Sequence, residues 1–265
     1  MSNSLLIPEL VTHLARFRGH GLADLKNASL MDRIDTKFVI PVAKLLPLIS
    51  ELEDNYSVLD IRGNRYFRYQ STYFDTDNFE LYHLHHNKNL NRHKVRVRHY
   101  VDDDTHFLEV KFKNNKDRTI KNRISVAAEN PLEIELHRDF LAAMGLPKEK
   151  TLKPSLINQY KRIAFASEER RERLTIDFDL AQYSLISDDK RFLKVEGIAI
   201  AELKQSRLNR HSPFFQLARE HNIRAGGFSK YCMGVALTMP EYDYIKVNRF
   251  KPITRKVTTT ISGEV

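Results

Sequence analysis

The stretch KVRVRHY, residues 94–100, decides the fold because its charged and apolar residues alternate. Successive side chains of an extended strand point to opposite faces of the sheet. The alternation therefore predicts a β-strand with one basic face and one apolar face, formed by Lys94, Arg96 and Arg98 against Val95 and Val97.

The stretch FLEVKFK, residues 107–113, repeats this alternation a few residues later. Its polar face carries Glu109, Lys111 and Lys113, and the segment DDDT between the two stretches has the composition of a turn. The two stretches are therefore predicted to form an antiparallel hairpin with a mainly basic face. TIKNRIS, residues 119–125, continues this meander with Lys121 and Arg123.

Other segments show the same two-residue period, and a few show helical spacing. Further strands are predicted in the segments 31–41, 65–76, 155–167, 173–183 and 191–205, and helices are predicted at 8–18, 41–56, 78–86, 131–147, 212–222 and 228–239. From about Tyr244 onward the chain is predicted to be an extended tail without a core pattern. The sequence shows no linker and no internal repeat, so we expect a single domain over residues 1–265 with a core at about 28–240.

The composition is that of a folded protein with a basic surface. The 265 residues include 43 Lys and Arg against 34 Asp and Glu, which gives a formal net charge of +9. Such a surplus favours an anionic partner, either nucleic acid, acidic lipid headgroups or phosphate-rich small molecules. The single cysteine, Cys232, excludes an internal disulfide framework and fits a cytoplasmic location. No apolar run approaches the length that a membrane span needs.

The basic strand faces have two interpretations. A polar face open to solvent is usual for an antiparallel sheet packed on one side. Alternatively, the sheet closes into a barrel of about eight strands, with helices outside and the charged faces lining the lumen. Cations facing one another in a lumen repel unless a polyanion neutralises them, and phosphate chains match the planar fork of arginine. The fold class expected is thus α+β, with an antiparallel closed β-barrel, or tunnel, and peripheral helices.

Several segments occur in the order found in VTC domains, which the sequence therefore resembles from about residue 33 to about residue 230. These segments are DRIDTKFVI, STYFDTDN, KVRVRHY, FLEVKFK, IKNRI, QYKRIAF, RLTIDFD, AELK and FSKY. VTC domains are the polyphosphate polymerase members of the triphosphate tunnel metalloenzymes, a CYTH-like superfamily. The resemblance implies transfer of the terminal phosphoryl group of ATP to a polyphosphate chain, with Mn²⁺ or Mg²⁺ as cofactor.

The resemblance also implies the roles of individual residues. Glu202 would be the metal ligand. The residues expected to act on the reacting phosphates are Lys37, Arg96, Arg98 and Lys111. The residues expected to bind substrate are Lys121, Tyr160, Arg162, Arg173, Lys204, Ser229 and Lys230. The expected partners are ATP and inorganic polyphosphate or pyrophosphate. No sequence-specific nucleic-acid binding is expected, and a membrane-protein partner stays open.

One departure separates this sequence from tunnel triphosphatases of the CYTH type, which carry Glu-x-Glu-x-Lys on their first strand. The corresponding positions here are Arg33, Asp35 and Lys37, so a cation replaces one carboxylate. This difference favours the polymerase over the hydrolase. A tunnel triphosphatase acting on tripolyphosphate, a nucleoside triphosphate or an RNA 5′ end and a non-catalytic polyphosphate-binding module remain the alternatives.

Two other signals are predicted to be structural. The histidines of HLHHNKNLNRH, residues 83–93, match no familiar spacing of metal ligands. Cys232 is predicted to be a packed helix residue because no partner for nucleophilic catalysis accompanies it.

Overall fold

The computed structural model describes residues 3–24, 34–116, 118–186, 191–240, 242–255 and 257–264, and it shows a mixed α+β protein with an extensive, largely antiparallel sheet. Arg33 lies outside the described residues. The α-helices of the described residues are α1 Asn3–Ala15, α2 Leu45–Ser50, α3 Glu80–His86, α4 Arg138–Ala143, α5 Pro213–Glu220, α6 Lys230–Thr238 and α7 Lys251–Thr254. Short 3-10 turns precede α2 at Val42–Lys44 and α4 at Ile134–His137.

Twelve strands lie within the described residues. They are β1 Gly19–His20, β2 Ile34–Pro41, β3 Ser57–Leu59, β4 Phe67–Asp75, β5 Arg92–Tyr100, β6 Thr105–Lys113, β7 Thr119–Val126, β8 Lys153–Ser167, β9 Glu172–Ser184, β10 Arg191–Glu196, β11 Ile198–Gln205 and β12 Thr258–Glu264. The alternating segments of the sequence are therefore strands, as predicted.

The chain forms two compact units. The first unit comprises Met1–Phe67, Tyr160–Leu180 and Glu196–Phe228, and the second comprises Arg68–Gln159, Ala181–Val195 and Ser229–Val265. Because the boundaries fall inside β8 and β9, each of these strands contributes residues to both units. The single domain expected from the sequence stays a prediction.

In the first unit, β11 pairs antiparallel with β2 on one side and with β9 on the other. The short strand β3 joins β8 and forms a parallel pair with β1. The apolar faces of these strands bury Phe38, Ile163, Leu174 and Ala201 in one core, together with residues of α1, α2 and α5. Because alternate residues of β2, β9 and β11 fill this core, their polar residues share the opposite face.

In the second unit, the strand order is β12-β10-β9-β8-β4-β5-β6-β7. Strands β4, β5, β6 and β7 form a consecutive antiparallel series. Val95, Val97, Leu108 and Val110 fill a separate core with α4 and its flanking loops. The predicted hairpin and meander are confirmed, and the pairing of Val95 with Val110 fixes their register.

Hydrogen bonding does not confirm a closed barrel. Within the described residues, the only strand that pairs with β2 is β11, and the only strand that pairs with β7 is β6.

In that same part of the chain, no helix is long and apolar enough to cross a lipid bilayer.

The segment after Tyr244 differs from the extended tail expected. It contains α7 and β12, and Ile245 and Phe250 are buried. The ring of Phe250 packs near that of Tyr82 in α3, at 6.2 Å between centroids. Two isolated apolar residues create no periodic pattern, which explains why the sequence did not indicate this packing.

Helix α6 packs closely on the second unit's sheet at Gly234. A methyl group at this position would lie 2.3 Å from Leu156 Cδ2 and 2.6 Å from Gln182 Oε1, and both side chains are buried. Overpacking costs about 1–3 kcal/mol, which exceeds the roughly 1 kcal/mol that alanine gains in helix propensity. We expect Gly234→Ala to lower the free energy of unfolding by about 1 kcal/mol in urea titrations. Gly227→Ala, where a methyl group meets nothing within 4 Å, should change it by less than about 0.5 kcal/mol.

Candidate functional site

The polar face of β5, β6 and β7 carries a row of three lysines. Lys94 lies opposite Lys111, and Lys111 lies opposite Lys121 on the next strand. We call these residues the lysine row. Like charges directly opposite each other on neighbouring strands destabilise a sheet. This register therefore concentrates positive charge along one line of the sheet.

The adjacent row supplies a single carboxylate, Glu109, which accepts hydrogen bonds from two cations and lies close to a third. Arg96 donates to Glu109 Oε2 through Nε at 2.8 Å and Nη2 at 2.6 Å, and Lys121 Nζ donates to Oε1 at 2.7 Å. Arg98 Nε lies 3.9 Å from Oε2. The Glu109 side chain is only 1% exposed and that of Arg98 8%. Glu109 thus holds three cations together, and we call these four residues the Glu109 cluster.

The charges in the Glu109 cluster shift the pKa values of its members. Burial acts to raise the pKa of Glu109, but Arg96, Arg98 and Lys121 outweigh it and hold this pKa well below its usual range. Burial lowers the pKa of the Lys121 ammonium to about 8, against the opposing effect of Glu109. Glu109 is therefore ionised at neutral pH, and the cluster retains a net positive charge.

A second set of contacts orients Arg96. Its Nη1 donates to the hydroxyl oxygen of Tyr73 at 3.2 Å, and its guanidinium lies 5.8 Å from the centre of that ring. Tyr73 stacks on Tyr231 of α6 at 4.9 Å, and the Tyr231 hydroxyl donates to Asp75. Asp75 in turn accepts the backbone N–H groups of Leu81 and Tyr82 at the start of α3. Arg96 is thus positioned by packed side chains rather than by a loop.

The start of α6 lies next to the lysine row. Ser229 is the N-cap of α6 and accepts the backbone N–H of Cys232 at 3.3 Å. The same Ser229 oxygen accepts a hydrogen bond from Lys94 Nζ at 3.0 Å. Lys230 is the first residue of α6 and is partly exposed. The N-terminus of a helix favours negative charge, so this arrangement adds to the positive potential of the row.

The first unit contains a different group of charges around Glu202. On β11, Glu202 lies opposite Lys37 of β2 and Thr175 of β9. Its Oε2 is 3.2 Å from Lys204 Nζ, and its Oε1 is 4.0 Å from Lys37 Nζ. Lys37 Nζ also donates to the carbonyl oxygen of Phe228 at 3.0 Å. We call Glu202, Lys37 and Lys204 the Glu202 group.

Further cations of the first unit lie on β8 and β9. Arg162 forms a bidentate ion pair with Asp177, in which Nε lies 2.5 Å from Oδ1 and Nη2 lies 2.8 Å from Oδ2. Its guanidinium lies 5.3 Å from the centre of the Tyr160 ring. Arg173 lies opposite Lys204 in the register of β9 and β11. The planar forks of these arginines suit phosphate oxygens as well as carboxylates.

The Glu202 group fits a divalent metal that binds together with a phosphate substrate. Mg²⁺ in phosphate-transfer sites is usually held by one or two carboxylates plus substrate oxygens, not by a cage of protein ligands. Glu202 supplies one partly buried carboxylate, and Asp35 lies on the neighbouring strand opposite Lys204. Within the described residues, no set of three His, Cys, Asp or Glu ligand atoms gathers around Glu202. The donor set thus suits a hard divalent cation whose remaining ligands are oxygens from outside the protein.

The structure brings together several of the predicted site residues, in separate groups within the two units. Arg96, Arg98 and Lys121 meet at Glu109, and Lys111 lies beside Lys121. Lys37 and Lys204 flank Glu202, and Arg162 lies by Tyr160. Arg173 lies opposite Lys204, and Ser229 and Lys230 lie at the start of α6, where Ser229 contacts Lys94.

Sequence reasoning did not assign two buried carboxylates to the site. Glu109 and Asp177 alternate with core residues on strands that it identified, but their partners lie on neighbouring strands. For Glu109, the signal was a single acidic residue on an otherwise basic strand face. Both carboxylates pair directly with cations, Glu109 with Arg96 and Asp177 with Arg162.

Cys232 and the histidines at 83–93 were predicted to be structural residues. Cys232 is buried in α6, and burial raises the pKa of its thiol, which disfavours the reactive thiolate. His93 contacts the carbonyl oxygen of Met144 at 2.8 Å and stacks on Phe112. The four histidines at 83–93, all within the described residues, form no group of three metal ligands.

Comparisons with known proteins place these features in a family. The family model for the VTC domain matches residues 32–239, whereas no curated protein matches in sequence. A proposed adenylate cyclase of Vibrio parahaemolyticus is 13% identical, with a TM-score of 0.43, and 76% of this chain and 95% of that chain are covered. A proposed adenylyl cyclase of Hippeastrum, described as having a dominant triphosphatase activity, is 13% identical, with a TM-score of 0.48 and coverage of 77% and 94%. A conserved hypothetical protein of Pyrococcus furiosus is 11% identical, with a TM-score of 0.35 and coverage of 73% and 95%.

These distant structural similarities say nothing about the activity of the present chain. The family model, in contrast, spans more than half of the sequence and includes every predicted site residue from Lys37 to Lys230. The chain therefore belongs to the VTC domain family.

Proposed function

We propose that this protein is a metal-dependent polyphosphate polymerase that transfers the terminal phosphoryl group of ATP to a polyphosphate chain in a closed basic tunnel. The observation that carries the proposal is the lysine row beside the Glu109 cluster. A sheet that sets Lys94, Lys111 and Lys121 side by side concentrates positive charge along one line, which suits binding of a multivalent anion. The chain's membership of the VTC domain family, a family that includes polyphosphate polymerases, supports the same substrate class.

In the proposed reaction, a terminal oxygen of the polyphosphate chain attacks the γ-phosphorus of ATP. The bond from that phosphorus to the oxygen bridging it to the β-phosphorus breaks, and ADP leaves. Phosphoryl transfer depends mainly on positioning and charge stabilisation, so no protein nucleophile is required. Divalent metal, when bound, neutralises charge on the β- and γ-phosphate oxygens.

The protein's own residues would supply the positioning. Arg96 and Arg98 are fixed by Glu109 and packed tyrosines, so they can bind phosphate oxygens without a large loss of side-chain entropy. Lys37, Arg162 and Lys204 would bind further phosphate oxygens, with Glu202 as the metal ligand. All units of a polyphosphate chain are identical, and lysine and arginine bind each of them in the same way. A growing chain can therefore advance past these side chains.

The decisive experiment resolves the products made from ATP on a gel, with purified protein and Mn²⁺ or Mg²⁺. Chains that lengthen with time, accompanied by ADP, support the polymerase. Orthophosphate released from ATP or tripolyphosphate without chain growth would establish the triphosphatase instead. Tight, salt-sensitive polyphosphate binding without turnover under either metal would establish a binding module.

Arg98→Ala should strongly impair the same assay. Arg98 is almost fully buried next to Glu109 and lies 5.6 Å from the centre of the Tyr69 ring, so its position is fixed. Loss of one preorganised cation should lower kcat/KM about 100-fold. Arg138→Ala is the matched control, because Arg138 is exposed and pairs with exposed Glu135; its activity should stay within about twofold of the unaltered protein. Equal losses in both variants would contradict the role proposed for Arg98.

A further inference from the structure

A group of potential metal ligands lies at the turn of the β5–β6 hairpin. It shares no residue with the lysine row, the Glu109 cluster or the Glu202 group. His99 near the end of β5 lies opposite His106 near the start of β6, and Asp104 closes the turn between them. One ligand atom from each residue lies within 4.8 Å of the other two. Within the described residues, no other three His, Cys, Asp or Glu side chains bring their ligand atoms this close together.

The register of the hairpin fixes the two histidines. Their imidazole rings stack with centroids 4.0 Å apart and an interplanar angle of 10°. Both residues continue the apolar faces of their strands, beyond Val97 and Leu108, which are buried in the core. The two rings therefore meet because the core residues next to them are paired, and a ligand that binds both rings needs no rearrangement of the backbone.

The turn places the Asp104 carboxylate beside the ring of His99. Asp104 has a φ of +48°, a left-handed conformation that aspartate tolerates better than most residues. Its Oδ1 lies 2.8 Å from His99 Nε2. Asp104 is exposed, so an ion from solvent can reach it directly.

We propose that His99, Asp104 and His106 bind a divalent transition metal ion of the zinc class. Imidazole nitrogen and carboxylate oxygen are ligands that suit Zn²⁺, and imidazole distinguishes such ions from Mg²⁺. Tetrahedral ligands bound at about 2.0 Å lie about 3.3 Å apart, so binding requires that the two stacked imidazole rings rotate out of parallel until their nitrogen lone pairs point at one ion. Three protein ligands leave a fourth position for water.

Such an ion would tie the end of β5 to the start of β6. This hairpin also carries Arg96, Arg98 and Glu109, whose side chains lie on its opposite face. The site is independent of the proposed polymerase activity, because neither Glu202 nor a phosphate ligand takes part. Its consequence for the protein would be a hairpin whose stability depends on the supply of the metal.

The test is calorimetric titration of untagged, chelator-treated full-length protein with Zn²⁺. We expect one tightly bound ion and a melting temperature that rises by about 4 °C or more at saturating Zn²⁺. Asp104→Asn and His106→Gln should each weaken Zn²⁺ binding at least about 10-fold. Asparagine tolerates the left-handed conformation of residue 104, so the turn should survive the first change.

Asp103→Asn provides the matched control, because it removes the same charge one residue away without touching a ligand. It should change the affinity less than about twofold. The proposal would be overturned if Zn²⁺ failed to bind the unaltered protein, or if Asp104→Asn and His106→Gln left the binding intact. Equal weakening by Asp103→Asn would indicate general attraction by an acidic turn and would also overturn it.

Discussion

Replacing Glu202 with glutamine is expected to lower kcat for phosphoryl transfer about 1,000-fold while leaving the fold intact. The variant keeps the size of the side chain but removes the carboxylate that would hold the metal against the triphosphate. A metal that stabilises transition-state charge contributes several kcal/mol, and about 4 kcal/mol corresponds to this factor. The measurement is the rate of ADP formation and chain growth at saturating ATP and Mn²⁺.

Two further measurements separate metal binding from phosphate binding in the Glu202 variant. Mn²⁺ affinity at a fixed concentration of tripolyphosphate should fall at least about 10-fold. Binding of metal-free tripolyphosphate should be unchanged or stronger, since Lys37 and Lys204 lose a competing negative charge. Glu53→Gln, which alters an ion pair between partly exposed Glu53 and exposed Arg16, should behave like the unaltered protein. If Glu202→Gln retained more than a tenth of the activity, Glu202 would not be the metal ligand.

Replacing Glu109 with glutamine is expected to lower the free energy of unfolding by about 3 kcal/mol. Removing one partner of a buried ion pair typically costs 3–5 kcal/mol because the other charges stay buried, and partial exposure of Lys121 places this case at the low end. The melting temperature should fall by about 6 °C or more. Glu135→Gln, which breaks an exposed ion pair with Arg138, should cost less than about 1 kcal/mol.

A phosphate chain should restore much of what Glu109→Gln removes. Tripolyphosphate can take the place of the missing carboxylate, so it should raise the melting temperature of the variant more than that of the unaltered protein. A purely structural role for Glu109 predicts equal increases, and equal increases would contradict binding of phosphate at this cluster.

Acid should also reduce the difference in stability between the unaltered protein and the Glu109 variant. The folded-state pKa of Glu109 lies below its unfolded value of about 4.5. The contribution of ionised Glu109 to the free energy of unfolding is therefore fully present above about pH 4.5. It is lost as the pH falls through the depressed pKa of the folded state. Urea titrations of both proteins between pH 6 and pH 3 should show the two stabilities converging.

The strands and their faces were predictable because a two-residue period is a local property. Alternation in β5 and β6 identified Val95 and Val110 as core residues and Arg96 as a polar-face residue, and the register confirms this. Helices were predicted less well. Helix α2 covers only part of the range 41–56 predicted to be helical, and it follows a short 3-10 turn. Pro47 has no backbone N–H with which to extend the α-helix toward its N-terminus, and the polar residues after Ser50 do not continue it.

The partners of the site residues were not predictable in the same way. Glu109 meets Arg96 and Lys121 because two strand pairings bring residues 12 and 13 positions apart side by side. A shift of either register would change these partners without changing any local pattern. The resemblance to VTC domains supplied the roles of the cations but gave no role to Glu109 or Asp177.

The carboxylate of Glu109 also has a consequence for which anions can enter. It already occupies the hydrogen-bonding positions of Arg96 and Lys121, as a counter-ion does in an ion-exchange resin. An incoming anion must displace it, and a singly or doubly charged species gains too little attraction to do so. A long anion that contacts the lysine row at the same time gains several attractions for one displacement. We therefore expect the cluster to select anions by their total charge, so that orthophosphate does not occupy the surface on which longer chains are held.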